Sequence, residues 1–232
     1  MSAERPRIAV ISFPGSLDDR DALWALGALD ADAIPLWHAE HELPPRTAAV
    51  VLPGGFSYGD YLRPGAIASC SPALAAVAGF ASNGGLVLGI CNGFQILCEA
   101  GLLPGALRRN DSLSFVCRDV TIRVERTDTP FTSRCEPEAL LTIPVKHGEG
   151  CWYADDELLD EVESRGQVVL RYAEPLNGSV ASIAGVVNEQ GNVFGLMPHP
   201  EHAVDPLLGS SDGALILASL VDAARDVAFA RA

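Results

Sequence analysis

The sequence predicts an α/β protein, with a mostly parallel central sheet, helices on both faces and antiparallel strands added in its second half. Three observations carry that expectation. In the first half, short continuous apolar runs alternate with stretches of helical spacing, the mark of strands buried on both faces of a parallel sheet. From Ser112 onward the pattern changes to alternation, as at Val120, Ile122 and Val124, which suits antiparallel strands. The 232 residues, 48% hydrophobic and 20% charged, suffice for one large domain with a sizeable core. No linker, repeat or low-complexity segment divides the chain, so residues 1–232 are expected to form a single domain.

The elements follow in order. Arg7 to Ser12 (RIAVIS) reads as a strand that stops before Pro14-Gly15, and Ala22, Leu23, Leu26 and Leu29 give Asp18 to Leu29 helical spacing. Ile34 to His38, Ala48 to Leu52 and Leu86 to Ile90 are further strands, with an alanine-rich helix, Ala66 to Phe80, before the last. A helix is expected over Asn92 to Ala100. Later strand candidates are Leu140 to Val145, Val168 to Tyr172, Ser182 to Val187 and Val193 to Met197, and Glu189-Gln190-Gly191-Asn192 reads as the hairpin turn between the last two. A closing helix, Asp212 to Phe229, turns Leu215, Ile216, Leu220 and Val221 inward.

The charge balance excludes some partners. A formal charge of −14 without any Lys/Arg stripe argues against nucleic acid. Met1 to Arg7 is polar and lacks the pattern of a secretory signal, and no apolar stretch approaches the ~18 residues of a membrane span, so a cytoplasmic protein is expected. The six cysteines, Cys70, Cys91, Cys98, Cys117, Cys135 and Cys151, are then expected to stay reduced, and the absence of a CxxC pair argues against structural zinc.

Cys91 stands apart from the other five. It lies between an apolar strand and a helix in Gly89-Ile90-Cys91-Asn92-Gly93, a glycine-x-nucleophile-x-glycine pattern. A strand-to-helix turn that presents a side chain at the sheet's carboxyl edge forces close backbone approach at both flanking positions, which glycine tolerates. The helix start favours thiolate through its free N–H groups and dipole. Such flanking arises by chance about once in 200 cysteines, so among six it is about a 3% accident, and a nucleophile is the stronger reading than a buried thiol.

A cysteine nucleophile for acyl transfer needs a histidine to move protons and a third group to hold the imidazole. Met197-Pro198-His199-Pro200-Glu201-His202 offers both. Pro200 favours extended backbone at His199, where residues i and i+2 share a side, so His199 reads as general base and Glu201 as its orienting carboxylate. A metal site at His199, Glu201 and His202 is the weaker reading, because the prolines exclude a helical HExxH arrangement and no third distant ligand set stands out.

Pro53-Gly54-Gly55-Phe56 follows a strand at the same edge, where its backbone N–H groups can face an anion; with the N–H of Asn92, that of Gly55 or Phe56 can stabilise an oxyanion, although a plain tight turn fits these residues equally well. His147-Gly148-Glu149-Gly150 either lines the pocket or forms a polar turn. His38 and His41, in a Pro- and Glu-rich loop, are expected to be solvated.

Together these pieces resemble the class I (triad) glutamine amidotransferases, whose pattern is a PGG loop, a C-x-G-x-Q segment and a late H-x-E pair. Here they read Pro53-Gly54-Gly55, Cys91-Asn92-Gly93-Phe94-Gln95 and His199-Pro200-Glu201. The longer strings Pro53 to Ala68, Cys91 to Leu107, His147 to Gly150 and Gly191 to Glu201 are similar to the glutaminase subunits of phosphoribosylformylglycinamidine synthases.

The resemblance implies that Cys91 attacks the side-chain amide of L-glutamine, giving a glutamyl thioester and ammonia, and that water then releases glutamate with His199 as base. It implies that Gln95 and the Gly54 to Phe56 loop help to bind glutamine. It also implies partners: a synthetase subunit (PurL) that takes the ammonia and uses ATP and Mg in purine synthesis, and a small bridging subunit (PurS). This chain has no residues to spare for an ATP-binding synthetase domain and needs no cofactor of its own.

Two departures from the family strings are present. His202 stands where arginine is usual after PHPE, and Cys151-Trp152 follow HGEG where arginine and tyrosine are common, which opens the question of contacts to partner or substrate. An amidotransferase serving another acceptor is disfavoured by the Phe56 to Ala68 insert, a binding module without chemistry by the intact Cys91, His199 and Glu201. A cysteine peptidase would have no need of Gln95.

Overall fold

A computed structural model describes residues 5–230, so the ends of the expected 1–232 domain, including the start of the polar Met1 to Arg7 stretch, lie outside the described residues. Strand β1 (Arg7–Ser12), helix α1 (Asp19–Ala28), β2 (Asp32–Trp37) and β3 (Thr47–Leu52) form in the expected order. After β4 (Leu86–Ile90) and α3 (Asn92–Glu99) come the alternating strands β6 (Val116–Val124) and β7 (Leu140–His147). These are followed by β9 (Val168–Tyr172), β10 (Ile183–Val187), β11 (Val193–Leu196) and the closing α5 (Gly213–Ala230).

The main sheet has nine strands in the order β2-β1-β3-β4-β11-β10-β9-β6-β7. Pairing is parallel from β2 to β11 and antiparallel from β11 to β7. The two halves of the hydrophobic pattern thus correspond to the two halves of one sheet. Strand β3 is buried throughout, as its unbroken apolar run requires, whereas β7 alternates between buried and exposed positions. Both edge strands carry a proline, Pro35 in β2 and Pro144 in β7, whose missing N–H weakens further strand addition. Helices cover both faces: α1 and α5 pack on one another and over β1 to β3, while α3 packs on β4 and β11. In α5, Ile216, Leu217, Leu220 and Val221 are buried and Leu215 is half-buried. Among the described residues no helix is long and apolar enough to cross a membrane.

Four elements differ from the sequence expectation. The helix expected over Ala66 to Phe80 is broken: a 3-10 turn covers Ala68–Cys70 and α2 starts only at Pro72 (Pro72–Ser82). The residue before a proline is pushed out of the helical region, and Ser71 there is extended and caps α2, its Oγ accepting from the Leu74 N–H at 3.3 Å. Helix α4 (Asp156–Ser164) escaped the pattern because its acidic residues hide a narrow apolar face, of which only Val162 is fully buried; its signal is the Asp155 cap, accepting from Leu158 N–H at 2.9 Å. Strands β5 (Ala106–Arg108) and β8 (Cys151–Tyr153) form a two-stranded sheet too short to carry a period.

The second sheet answers the question posed by Cys151 and Trp152. Both are buried, and Trp152, fully enclosed, donates from its indole N–H to the Pro104 carbonyl at 3.1 Å while its ring covers Gly105. They pack internally rather than facing a partner. Trp152→Ala is expected to lower stability by about 3–5 kcal/mol through the cavity it leaves, measured by urea denaturation.

Candidate active site

The site is built at the carboxyl edge of β4, β11 and β3. Cys91 follows β4 with φ 51° and ψ −103°, a conformation that non-glycine residues rarely adopt and that a tight strand-to-helix turn imposes. The glycines expected to flank it are sterically required. A Cβ on Gly89 would press on the Gly93 backbone at 2.7 Å, and one on Gly93 would run into the Leu52 carbonyl of β3. The Cys91 N–H donates to Leu196 of β11 at 2.8 Å, which ties the nucleophile to the strand that carries the histidine.

His199 lies three residues past β11, held by its N–H to the Pro144 carbonyl at 2.9 Å. Its Nδ1 meets Glu201 Oε1 at 2.7 Å, both side chains being buried, so the i, i+2 pairing expected from the sequence is formed. The other ring nitrogen, Nε2, is buried without a hydrogen-bond partner. Burial opposes protonation of this ring, but the charges of Glu201 and Cys91 outweigh it and hold its pKa up at about 10. His199 at neutral pH is therefore an imidazolium. A ring that holds its proton at rest can give it to a leaving group before taking one back.

Two residues that the sequence does not mark as site residues complete this centre. Asp18, at the start of α1, is 3% exposed; its Oδ2 lies 3.6 Å from His199 Nδ1 and its Oδ1 3.1 Å from His202 Nε2. Lys146 at the end of β7 pairs with Asp18 and sits 3.1 Å from His202. Burial opposes ionisation of Asp18, yet the His202 hydrogen bond and the charges of His199 and Lys146 hold its carboxyl well below the usual range. Nothing marks Asp18 in the sequence. Lys146 does carry a signal, as the only lysine among 16 basic residues.

Asp18, His199, Glu201 and His202 present ligand atoms within 4.8 Å of one another. Two of the four, Asp18 and His202, are engaged by the Lys146 ammonium, which makes the group an internally balanced charge cluster rather than a set of metal ligands. His202, standing in the arginine position of the family string, belongs to this network rather than to an outer surface.

A cavity of about 130 Å³ opens beside Cys91, lined by Gly55, Phe56, Gln95, His147 and Gly148, and also by Asp60, Phe115, Lys146 and Glu149. Most of the expected pocket residues are thus brought together, held by protein contacts that the sequence does not show. The Phe56 N–H donates to the Gly15 carbonyl at 2.9 Å, leaving the N–H groups of Gly55 and Asn92 without a protein acceptor among the described residues. Gly54 makes room rather than lining the cavity, since a Cβ there would collide with Asp18 Oδ2 and the His199 ring. Gln95 has its amide engaged on both sides, donating to the Glu149 carbonyl at 2.6 Å and accepting from Asn92 Nδ2 at 2.9 Å. Asn92 Oδ1 in turn accepts from Ser57 N–H at 3.1 Å. These two side chains therefore fix the loops around the cavity. Asp60, facing it, has its pKa raised to about 6 by burial and by the Glu149 carboxylate.

His147 is 3% exposed and shares its Nδ1 hydrogen with Asn110 Oδ1 at 3.0 Å. Asn110, fully buried, also receives Gly150 N–H at 3.0 Å and so shapes the HGEG turn. His38, expected to be solvated, is instead half-buried and bonded to the Tyr58 hydroxyl at 2.7 Å, whereas His41 is exposed. All six cysteines are unpaired.

The chain is similar to known proteins over most of its length. A family model described as the CobB/CobQ-like glutamine amidotransferase domain matches residues 5–212. The chain is 56% identical over 219 residues to phosphoribosylformylglycinamidine synthase subunit PurQ of Rubrobacter xylanophilus, covering 94% of this chain and 99% of that one. It is 56% identical over 209 residues to the subunit of the same name from Mycobacterium tuberculosis, covering 90% and 93%. A solved structure of PurLQS from Thermotoga maritima includes a chain with TM-score 0.87 and 45% identity, covering 94% of this chain and 99% of that one.

Burial, aided by the positive charge of His199, lowers the pKa of His147 to about 4. In the unfolded chain this residue binds a proton below about 6.5 that the folded chain refuses, so its contribution is intact above pH ~6.5 and is lost as pH falls towards 4. The loss is of order 3 kcal/mol, and His147→Gln is expected to flatten the fall of the urea midpoint between pH 6.5 and 4.

Proposed function

The chain belongs to the CobB/CobQ-like glutamine amidotransferase family, and on that footing we propose that it is the glutaminase subunit of a phosphoribosylformylglycinamidine synthase. The observation that carries this reading is a strained, glycine-flanked Cys91 on one cavity, whose charge acts on the imidazole of the buried His199–Glu201 pair. Cys91 as thiolate attacks the side-chain carbonyl carbon of L-glutamine. The oxyanion takes the N–H groups of Asn92 and Gly55, neither of which has a protein acceptor among the described residues. The His199 imidazolium gives its proton to the departing amine, so ammonia leaves and a glutamyl thioester forms. His199, now neutral, draws a proton from water as that water attacks the thioester, and glutamate is released with Cys91 restored. Glu201 keeps the ring oriented and offsets its charge throughout.

The ammonia passes to a synthetase subunit (PurL), which uses ATP and Mg, with a small subunit (PurS) in the complex; this chain requires neither cofactor. Exposed Phe56 and Phe115 at the cavity, and Leu17, Tyr61, Leu62 and Leu113 on nearby loops, support a partner docking over its mouth. The unpaired thiols support a reducing compartment, and we place the protein in the cytoplasm.

Glutamine hydrolysis by the purified chain is expected to be weak alone and to rise strongly when the two partner subunits and ATP are added. Cys91→Ala is expected to lose at least ~10⁴-fold in kcat in either state, since the nucleophile, histidine and orienter act as a unit. Full glutamine turnover by Cys91→Ala, or turnover of peptides in place of glutamine, would overturn the assignment.

A further inference from the structure

Helix α1 begins at a residue that departs from the usual local chemistry. Asp18 is its N-cap, where an aspartate normally accepts from first-turn N–H groups, yet its side chain makes no capping bond. The N–H groups of Leu17 and Asp18 donate instead to the Gly54 carbonyl, at 3.2 and 3.3 Å, so the PGG loop anchors the start of the helix beside the site. The carboxylate reaches His199, His202 and Lys146. Forgoing a cap while burying a charge is a local cost that points to a role in the site.

We propose that Asp18 is a positioning residue, a second carboxylate on the His199 imidazole that acts with Glu201 to keep the ring protonated and oriented beside Cys91. The inference rests on the glutaminase reading above. The two carboxylates divide the work by distance. Glu201 Oε1, at 2.7 Å, receives the Nδ1 hydrogen, whereas Asp18 Oδ2, at 3.6 Å, lies beyond hydrogen-bond range and acts through its charge, weakly screened because both groups are buried. Gly54 leaves the space in which they approach, since any Cβ there would enter the gap between them.

The charged and titratable groups facing this pair are Lys146 and His147 from β7, Glu201 and His202 beyond β11, and Cys91 after β4. Among them Lys146 opposes Asp18 directly. The network therefore has a sign: removing the Asp18 charge should weaken the hold of His199 on its proton, and removing the Lys146 charge should strengthen it. A residue that only braced the loop would not produce opposite shifts.

The test uses the full chain with its histidines isotopically labelled, following the His199 ring by NMR across pH, and the pH profile of glutamine kcat/KM in the assembled complex. Asp18→Asn is expected to move both the His199 titration and the alkaline limb of the profile to lower pH by roughly one unit or more, the scale for losing an opposite charge at this range. An accompanying loss of about tenfold in kcat, with KM changed by less than about threefold, is the signature of an effect on the reacting state rather than on binding. Lys146→Met is expected to move the His199 titration upward. A folded Asp18→Asn whose titration and limb match the unaltered protein overturns the proposal, and so do shifts of the same sign in the two variants. If Asp18→Asn does not fold, an unmoved titration in Lys146→Met overturns it. Cys91-dependent glutamine hydrolysis by the unaltered complex is measured in the same series, so a failure of the glutaminase reading is seen separately from a failure of the Asp18 role.

Discussion

The parallel pairing of β4 with β11 is the constraint on which the site depends. Its register sets Ile90 beside Leu196, so that the next residue of one strand is Cys91 and the loop of the other leads to His199. The Cys91 N–H bond to the Leu196 carbonyl continues the ladder one step into the turn, and the His199 N–H bond to Pro144 ties the histidine to β7 at the far edge. Because side chains alternate along a strand, a slip of one residue would point the nucleophile to the opposite face. The buried apolar residues of β3, β4 and β11 hold that register, and the chemistry inherits its precision from the core.

Around this frame the site is a compensated set of charges rather than an isolated triad. Glu201 and Asp18 place two carboxylates on one imidazolium, and Lys146 and His202 share Asp18 between them. A buried charge without a partner is strongly destabilising, so the cluster stands or falls together. The arrangement also explains the state of His199: its proton is held by neighbouring negative charge in spite of burial, and His147, close by but lacking a carboxylate, is driven towards the neutral form. The same ring chemistry is pushed in opposite directions within one site.

Irregular backbone occurs where the loops meet the cavity. Cys91 and the loop residues Tyr58, Asp60 and Leu62 all have positive φ, although none is glycine. Asn92 and Gln95, at the start of α3, bind these loops back to the nucleophile through Ser57 and the Glu149 carbonyl. Regular strands thus supply rigidity, and side-chain amides hold the irregular segments against it.

The strands, the nucleophile turn and the His199–Glu201 pair were legible in the sequence because each depends on short-range rules: apolar runs, glycines flanking a cysteine, and i, i+2 geometry between prolines. The broken helix before Ser71 and the acid-rich α4 were misread or missed because a proline and a capping aspartate outweighed hydrophobic periodicity there. The protein contacts of Gly54 and Gln95 were not legible for a different reason, since what their atoms touch is set by loops distant in the chain. Asp18, Lys146 and Asn110 were invisible as site residues: Asp18 meets Lys146 across 128 residues and Asn110 meets His147 across 37. Sequence alone determined which residues are candidates for the covalent chemistry. The tertiary structure decided which charges surround them, because charge acts through space and takes no account of order along the chain.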